Sequence, residues 1–517
     1  MNEPKIPGKA RHGVVMRSAL GVIALIFGII ACQAAELSPH DMALLDRLTW
    51  GINASGAAHL QAVGVERWLT EQLHPGAAVA LPDAVQSQIE VMPDVHRLPF
   101  DIAVAFEHQG KSANQVTDPE QKKAAQQVYQ QAMNDRAKQA AARTILRGLY
   151  APDQLRERMT WFWFNHFNVH QYKANLRILV GDYESRAIRP FALGKFRDLL
   201  MATLRHPAML RYLDNSENAA GHLNENYARE IMELHTMGVG SGYTQQDVEA
   251  LARILTGVGI DLKPEDPKLK PELQSQLVRE GAFEFNPARH DYGDKTLLGH
   301  PIKGRGLAEV EEAVDILVHH PATASRLARQ IATYFISDNP PEPLVQRMAQ
   351  AFKTSDGDIA AVLAAMIHAP EFTASLKSGA RFKDPVQYVL SAVRLAYDDK
   401  VVLNTLPIQG WLNRLGEGLF NRETPDGYSL SASAWSGPGQ MMVRFEIARQ
   451  IGSGSAGLFK LDGPNAVDRP AFPLIQNSLY FNGLRQTLGP TTLAALDQAI
   501  SPQDWNTLFL SSPEFMR

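Results

Sequence analysis

The chain has 517 residues, of which 45% are hydrophobic and 21% charged, a composition that suits a globular protein with a sizeable core. A net charge of -4 argues against a nucleic-acid binder built on a basic stripe, and no long run of like charges marks a polyelectrolyte tail. The sole cysteine, Cys32, excludes a disulfide scaffold and a structural zinc site built on several thiolates, so any metal would rest on His, Asp or Glu.

Lys5, Lys9, Arg11 and Arg17 precede the apolar run from Ser18 to Ala31. The run is too short for a comfortable membrane-spanning helix, which needs ~20 residues. It suits the apolar region of a signal peptide, so residues 1–32 are read as an export segment. Ile29-Ile30-Ala31-Cys32 resembles a bacterial lipobox, where cleavage before the cysteine leaves it to carry lipid. Such a protein would sit at a membrane surface without a spanning helix. Two alternatives stay open: cleavage before Ala35 and ordinary secretion, or an uncleaved anchor. The expected location is the periplasm, an outer-membrane surface, or the medium.

The mature chain reads as mainly α. Residues 36–150 carry apolar positions at helical spacing, as in Leu44-Leu45-Asp46-Arg47-Leu48 and Val65-Glu66-Arg67-Trp68-Leu69, with a break at Asn53 to Gly56. Residues 115–148 are rich in Ala, Gln, Lys and Arg and predict a long, polar helix. Residues 153–260 predict several helices broken at Pro190, Pro207 and Gly221. The polar, Pro-rich stretch 262–280 predicts a surface loop. Phe283-Glu284-Phe285 and Lys295 to Leu298 then predict the two arms of one small β-hairpin. Helix returns over 305–400, with a break at Pro340 to Pro343 and a restart at Asp384-Pro385, an N-cap followed by a first-turn proline. Residues 416–440 predict a structured loop, and helices close the chain. The expected fold is a large multi-helix globular body with a small β-hairpin insertion. It forms either a single domain over 36–517 or two helical lobes with the insertion near 262–300.

Several polar segments could carry chemistry. If Trp161 to His170 were one helix, His166 and His170 would share a face at a spacing that can hold a metal. Phe167 stands where a zinc protease needs glutamate, so that mechanism is excluded. The surrounding aromatics favour a His166 packed in the core and bonded through its ring nitrogens. Asn224 to Gly238 predicts a helix closed by a C-terminal glycine. Glu225, Arg229 and Glu233 recur every fourth residue and form two ion pairs, each stabilising an exposed helix by ~0.2–0.5 kcal/mol. Glu230 and His235 miss the Glu-x-x-His spacing of di-iron bundles. His290-Asp291 reads as a turn that could orient a base, and His319-His320 as a helix cap. No nucleophile elbow, P-loop or dinucleotide fingerprint is present.

These segments, taken in order, resemble the bacterial family called domain of unknown function 1800. The matching strings are Leu44 to Gly51, Phe162 to Phe167, Asn224 to Gly238 with Gly242 to Val248, His290-Asp291 through Gly299, Pro425-Asp426-Gly427-Tyr428, and Ser512-Pro513-Glu514-Phe515. The resemblance covers about residue 40 to the C-terminus. It implies an exported protein without a settled activity, and an exported sulfatase-like or phosphatase-like protein as partner. It marks Asn165, His166, Glu225, Arg229, Glu230, Glu233 and His235 as family positions, and it does not include His170.

Two functions follow as expectations. One is a non-catalytic envelope scaffold or binding module. The other is an envelope enzyme, a metal-dependent hydrolase or an oxidoreductase, with a pocket built from His166 and the Glu225–His235 segment. In that case His166, Glu230 and His235 are the metal candidates.

Overall fold

Side-chain caps set where many of the helices begin. Ser38 Oγ accepts from Asp41 N before Pro39–Leu48, and Asn53 accepts from Gly56 N before Ala54–Val63. Asp118 accepts from Gln121 N before Pro119–Tyr150, and Asp384 from Gln387 N before Pro385–Tyr397. In three of these four a proline takes the first helical position, where its missing N–H costs nothing. Asn53 is therefore a cap: the break lies ahead of it, over residues 49–53, and Ala54 to Gly56, expected in the break, are already helical.

The structure is a computed structural model that describes residues 37–76, 80–93, 95–378, 381–460 and 472–517. The export segment and Cys32 lie outside the described residues. The chain is 62% helical and 4% strand, so it is mainly α with a small β insertion. Residues Glu36–Arg517 pack as one compact unit.

Two helices are buried almost all round and occupy the middle of that unit. In Gln154–His166 every residue except Arg156 is buried, and in Pro385–Tyr397 every residue is. A helix apolar on all faces must lie inside the body. Their polar side chains find backbone partners. Arg158, fully buried, donates to the carbonyls of Arg47 and Thr49, both at 2.9 Å, and faces the rings of Trp50 and Tyr334. Arg394 donates to Gly51 O and to Asn53 Oδ1, so the two central helices tie down the same N-terminal segment.

The β structure differs from the expected single hairpin. Phe283–Phe285 (β3) is the middle strand of a three-stranded antiparallel sheet, between Val258–Ile260 (β1) and Val278–Glu280 (β2). Lys295–Leu297 (β4) pairs instead with His300–Ile302 (β5). Leu298 and Gly299, both with positive φ, make the two-residue turn between them. The two predicted arms are thus real strands that do not pair with each other. The stretch 262–280 is largely exposed, as expected, but also holds β2 and the short helix Pro271–Gln274.

Candidate functional site

The helix Gln154–His166 ends at His166, and Phe167 already has non-helical backbone angles. His170 therefore lies beyond the helix and does not share a face with His166, which corrects the i, i+4 expectation. What ends the helix is a set of bonds to a distant loop. Asn168 Nδ2 donates to the carbonyls of Arg422 and Thr424. Asn165 Nδ2 donates to Tyr428 O at 2.9 Å, and Tyr428 N donates back to Asn165 Oδ1 at 2.5 Å. The loop can come this close only because residue 427 is glycine: its φ is +73°, and a Cβ would fall 2.1 Å from Asn165 O.

His166 is 8% exposed and lies edge-on to Trp163 and Phe167. Its Nε2 donates to the backbone carbonyl of His235, 3.0 Å away, which fixes the proton on that nitrogen. Burial, and then the nearby Arg326 guanidinium, push its pKa down to about 3. His166 is accordingly neutral at neutral pH.

His235 ends the segment that begins as helix Asn226–Glu230 and widens into a π-helical turn over Ile231–His235. Its ring is fully buried, 6.0 Å from that of His166 and 4.9 Å from that of Phe167, measured between centres. Neither ring nitrogen has a partner among the described residues, nor does the nearby Tyr227 hydroxyl. Burial, with His166 and Arg326, holds its pKa well below the usual value.

The carboxylates of the same segment face outward. Arg229 bonds Glu225 at 3.2 Å and lies 3.6 Å from Glu233, as the four-residue spacing requires. Gln245 bridges Glu225 and Arg229, and the Tyr243 hydroxyl donates to Glu233 at 2.6 Å. The Glu230 side chain has no hydrogen bond or ion pair among the described residues. Burial, then the charge of Glu233, raise its pKa, with Arg229 opposing and Asp426 adding to the rise.

A pocket of about 40 Å³ opens over His166. Asn165, Arg326, Gln330, Asp426 and Tyr428 contribute to its wall. It has room for about one water molecule, whose share of liquid volume is ~30 Å³. The aromatic-histidine segment, Leu234 and the Asp426–Tyr428 loop, far apart in sequence, meet here. Arg326 and Gln330 were missed in the sequence. They sit four apart on the helix Pro321–Phe335, a spacing that was available as a signal. Arg326 Nη2 donates to Leu234 O, while Arg326 Nε has no hydrogen-bond partner among the described residues.

Of the expected site residues, His166 and His235 adjoin, while Glu225, Arg229, Glu230 and Glu233 are not part of the pocket wall. No group of three or more His, Cys, Asp and Glu that could hold a metal is present among the described residues. His290 and Asp291 diverge: His290 is buried against Glu309 at 2.9 Å, and Asp291 accepts from Nε and Nη2 of Arg253. His319 does bond the Asp315 carbonyl of its own helix, while His320 caps the next helix through Ala322 N.

In comparison with known proteins, the family model described as Protein of unknown function (DUF1800) matches residues 43–517. No curated protein and no solved structure matches the chain.

Proposed function

The chain belongs to the DUF1800 family, and from that premise we propose that it is an exported cell-envelope binding module, a helical scaffold that works with an exported sulfatase-like or phosphatase-like partner. One observation carries the reading: the polar residues of the family motifs are largely engaged with one another. Arg229 serves both Glu225 and Glu233, and His166 spends its N–H on the His235 carbonyl and stays neutral. A general base needs hydrogen-bond reach to a proton and a matching pKa, and a pKa of about 3 leaves His166 poorly matched to that role at neutral pH. The exposed rim, with Asp426 and the Glu225–Glu233 stripe, is the surface offered to the partner. Localisation follows the N-terminal segment, with Cys32 as the lipid attachment point.

A second reading, a metal-dependent envelope hydrolase or oxidoreductase, is favoured by the unpartnered ring nitrogens of His235 and by the unpaired Glu230. One preparation separates the two. The mature protein is co-expressed with a candidate exported sulfatase-like or phosphatase-like protein, and the complex and its metal content are measured. The binding reading expects a stoichiometric complex on size exclusion, weakened by Asp426→Lys, and metal no higher than in a His166→Ala control. Absence of a complex, together with a stoichiometric metal that His166→Ala removes, would overturn it in favour of the enzyme.

A further inference from the structure

Away from that pocket, six arginines converge on a single cavity beside the long helix Pro119–Tyr150: Arg97, Arg136, Arg143, Arg147, Arg177 and Arg186. Arg136, Arg143 and Arg147 come from one face of the helix, since steps of seven and four residues return to nearly the same angle. The cavity measures about 140 Å³.

Arg97 and Arg136 have partners of their own, and the charge of the other four arginines is poorly balanced. Asp182 is the one carboxylate in the described lining, and it is already bound to Arg186 at 2.9 Å and to His206 at 3.0 Å. Arg177 gives one bond from each terminal nitrogen to a neutral side-chain oxygen, those of Asn134 and Gln130, which leaves each of those nitrogens a second N–H. The side chains of Arg143 and Arg147 have no hydrogen bond or ion pair within 4 Å among the described residues. Carboxylates do stand farther off, facing Arg147: Glu184, Glu157 and Asp153. Glu184 takes the Thr144 hydroxyl, Arg189 takes Glu157, and Arg156 takes Asp153.

Partly buried like charges are costly, and the folded chain tolerates them only if something offsets the repulsion. Burial lowers the pKa of both Arg143 and Arg147; the Arg147 guanidinium lowers that of Arg143 further, and the Arg189 guanidinium that of Arg147. Gly181 makes room for this arrangement. A Cβ there would sit 2.3 Å from Arg143 Nη2 and 2.8 Å from the Ala140 side chain.

We propose that this cavity is a binding site for a tetrahedral oxyanion, a phosphate or sulfate group, with Arg143, Arg147 and Arg177 as its principal donors. Guanidinium forks match the paired oxygens of such a group, and the bonds are charge-assisted. The volume is several times the ~30 Å³ share of one water, enough for the anion and attendant water. The site is independent of the binding-module reading, because it shares no residue with the His166 pocket.

The test is calorimetric titration of the exported protein with sodium phosphate and with sodium sulfate, at constant ionic strength against chloride. The expected result is saturable binding of one oxyanion per chain. Arg143→Gln combined with Arg177→Gln should weaken it by roughly tenfold or more, the scale of a lost charge-assisted bond. Arg347→Gln, which alters an exposed pair with Glu371, should leave it unchanged. Labelling of the unaltered protein with phenylglyoxal needs no variant, and phosphate or sulfate should protect Arg143 and Arg147. Tighter binding of triphosphate than of phosphate would support a larger phosphorylated ligand, and equal binding would support the free ion. No saturable binding of either oxyanion, or binding indifferent to the double substitution and without protection, would overturn the proposal.

Discussion

His166 is titrated by its surroundings. The unperturbed imidazole ionises near 6.5, whereas the buried ring is held to about 3 by burial and by Arg326. Between those two values the unfolded chain binds a proton that the folded one refuses, so stability must fall as pH drops through that window and level off below it. A His166→Gln variant carries no such proton. At pH 8 it should be the less stable protein, because the bond to the His235 carbonyl is disturbed. As pH falls from 7 to 4 the gap should narrow, since only the parent chain pays for keeping the ring neutral. Denaturant midpoints of both proteins across that range check this; a gap that does not change with pH would sink it. His235 would add a similar dependence of its own, which the comparison of the two chains cancels.

At the scale of elements, one buried carboxylate joins three pieces of chain. Glu309, in the first turn of the helix Leu307–His319, accepts from His290 Nε2 at 2.9 Å and from Lys295 Nζ at 2.6 Å. It also accepts from the backbone N–H groups of Arg305 and Gly306. Burial pushes its pKa up, but the bonds from His290, Lys295 and Arg305 outweigh burial and leave it below 4.5. A depressed carboxyl contributes stability above its unfolded value and loses it as pH falls through the folded value. Glu309→Gln keeps the shape and strands the buried Lys295 charge, which should cost about 3–5 kcal/mol near neutral pH. The difference from the parent should shrink below pH ~4.5 as the native carboxyl protonates. This junction was half legible. His290-Asp291 stood out as a pair, but its partner Glu309 lies on another element, and no local pattern connects them. The same limit explains the strands. Apolar, β-branched segments are visible one at a time, whereas β3 chooses β1 and β2 by tertiary packing. The helices were far more legible, because the 3.6-residue period and the cap at Asp384 are local signals. In the site, the Glu225–Glu233 stripe could be read from spacing and the burial of His166 from its aromatic neighbours, while the approach of the Asp426–Tyr428 loop and of Arg326 could not.

For the whole molecule, the alternatives were one body over 36–517 or two lobes. The bonds cross any midpoint one might draw. Arg158 holds Arg47, Asn165 holds Tyr428, and Arg394 holds Gly51 and Asn53. The chain's last residues close against its first described helix. Lys383 Nζ bonds Asp46 at 3.2 Å and faces the Phe515 ring at 4.5 Å, while Lys383 N donates to Met516 O at 2.8 Å. Phe515 and Met516 are both buried. Burying two such side chains contributes about 3–6 kcal/mol together, a large part of the roughly 5–15 kcal/mol that holds a typical domain together. Removal of residues 512–517 should therefore lower the stability of the entire body, since it also uncovers the Lys383–Asp46 pair that anchors Pro39–Leu48. Scanning calorimetry of the mature chain should give one endotherm, and the truncated chain one endotherm at lower temperature. Two separable transitions, of which the truncation moves only the second, would instead mean that the helical body divides into lobes.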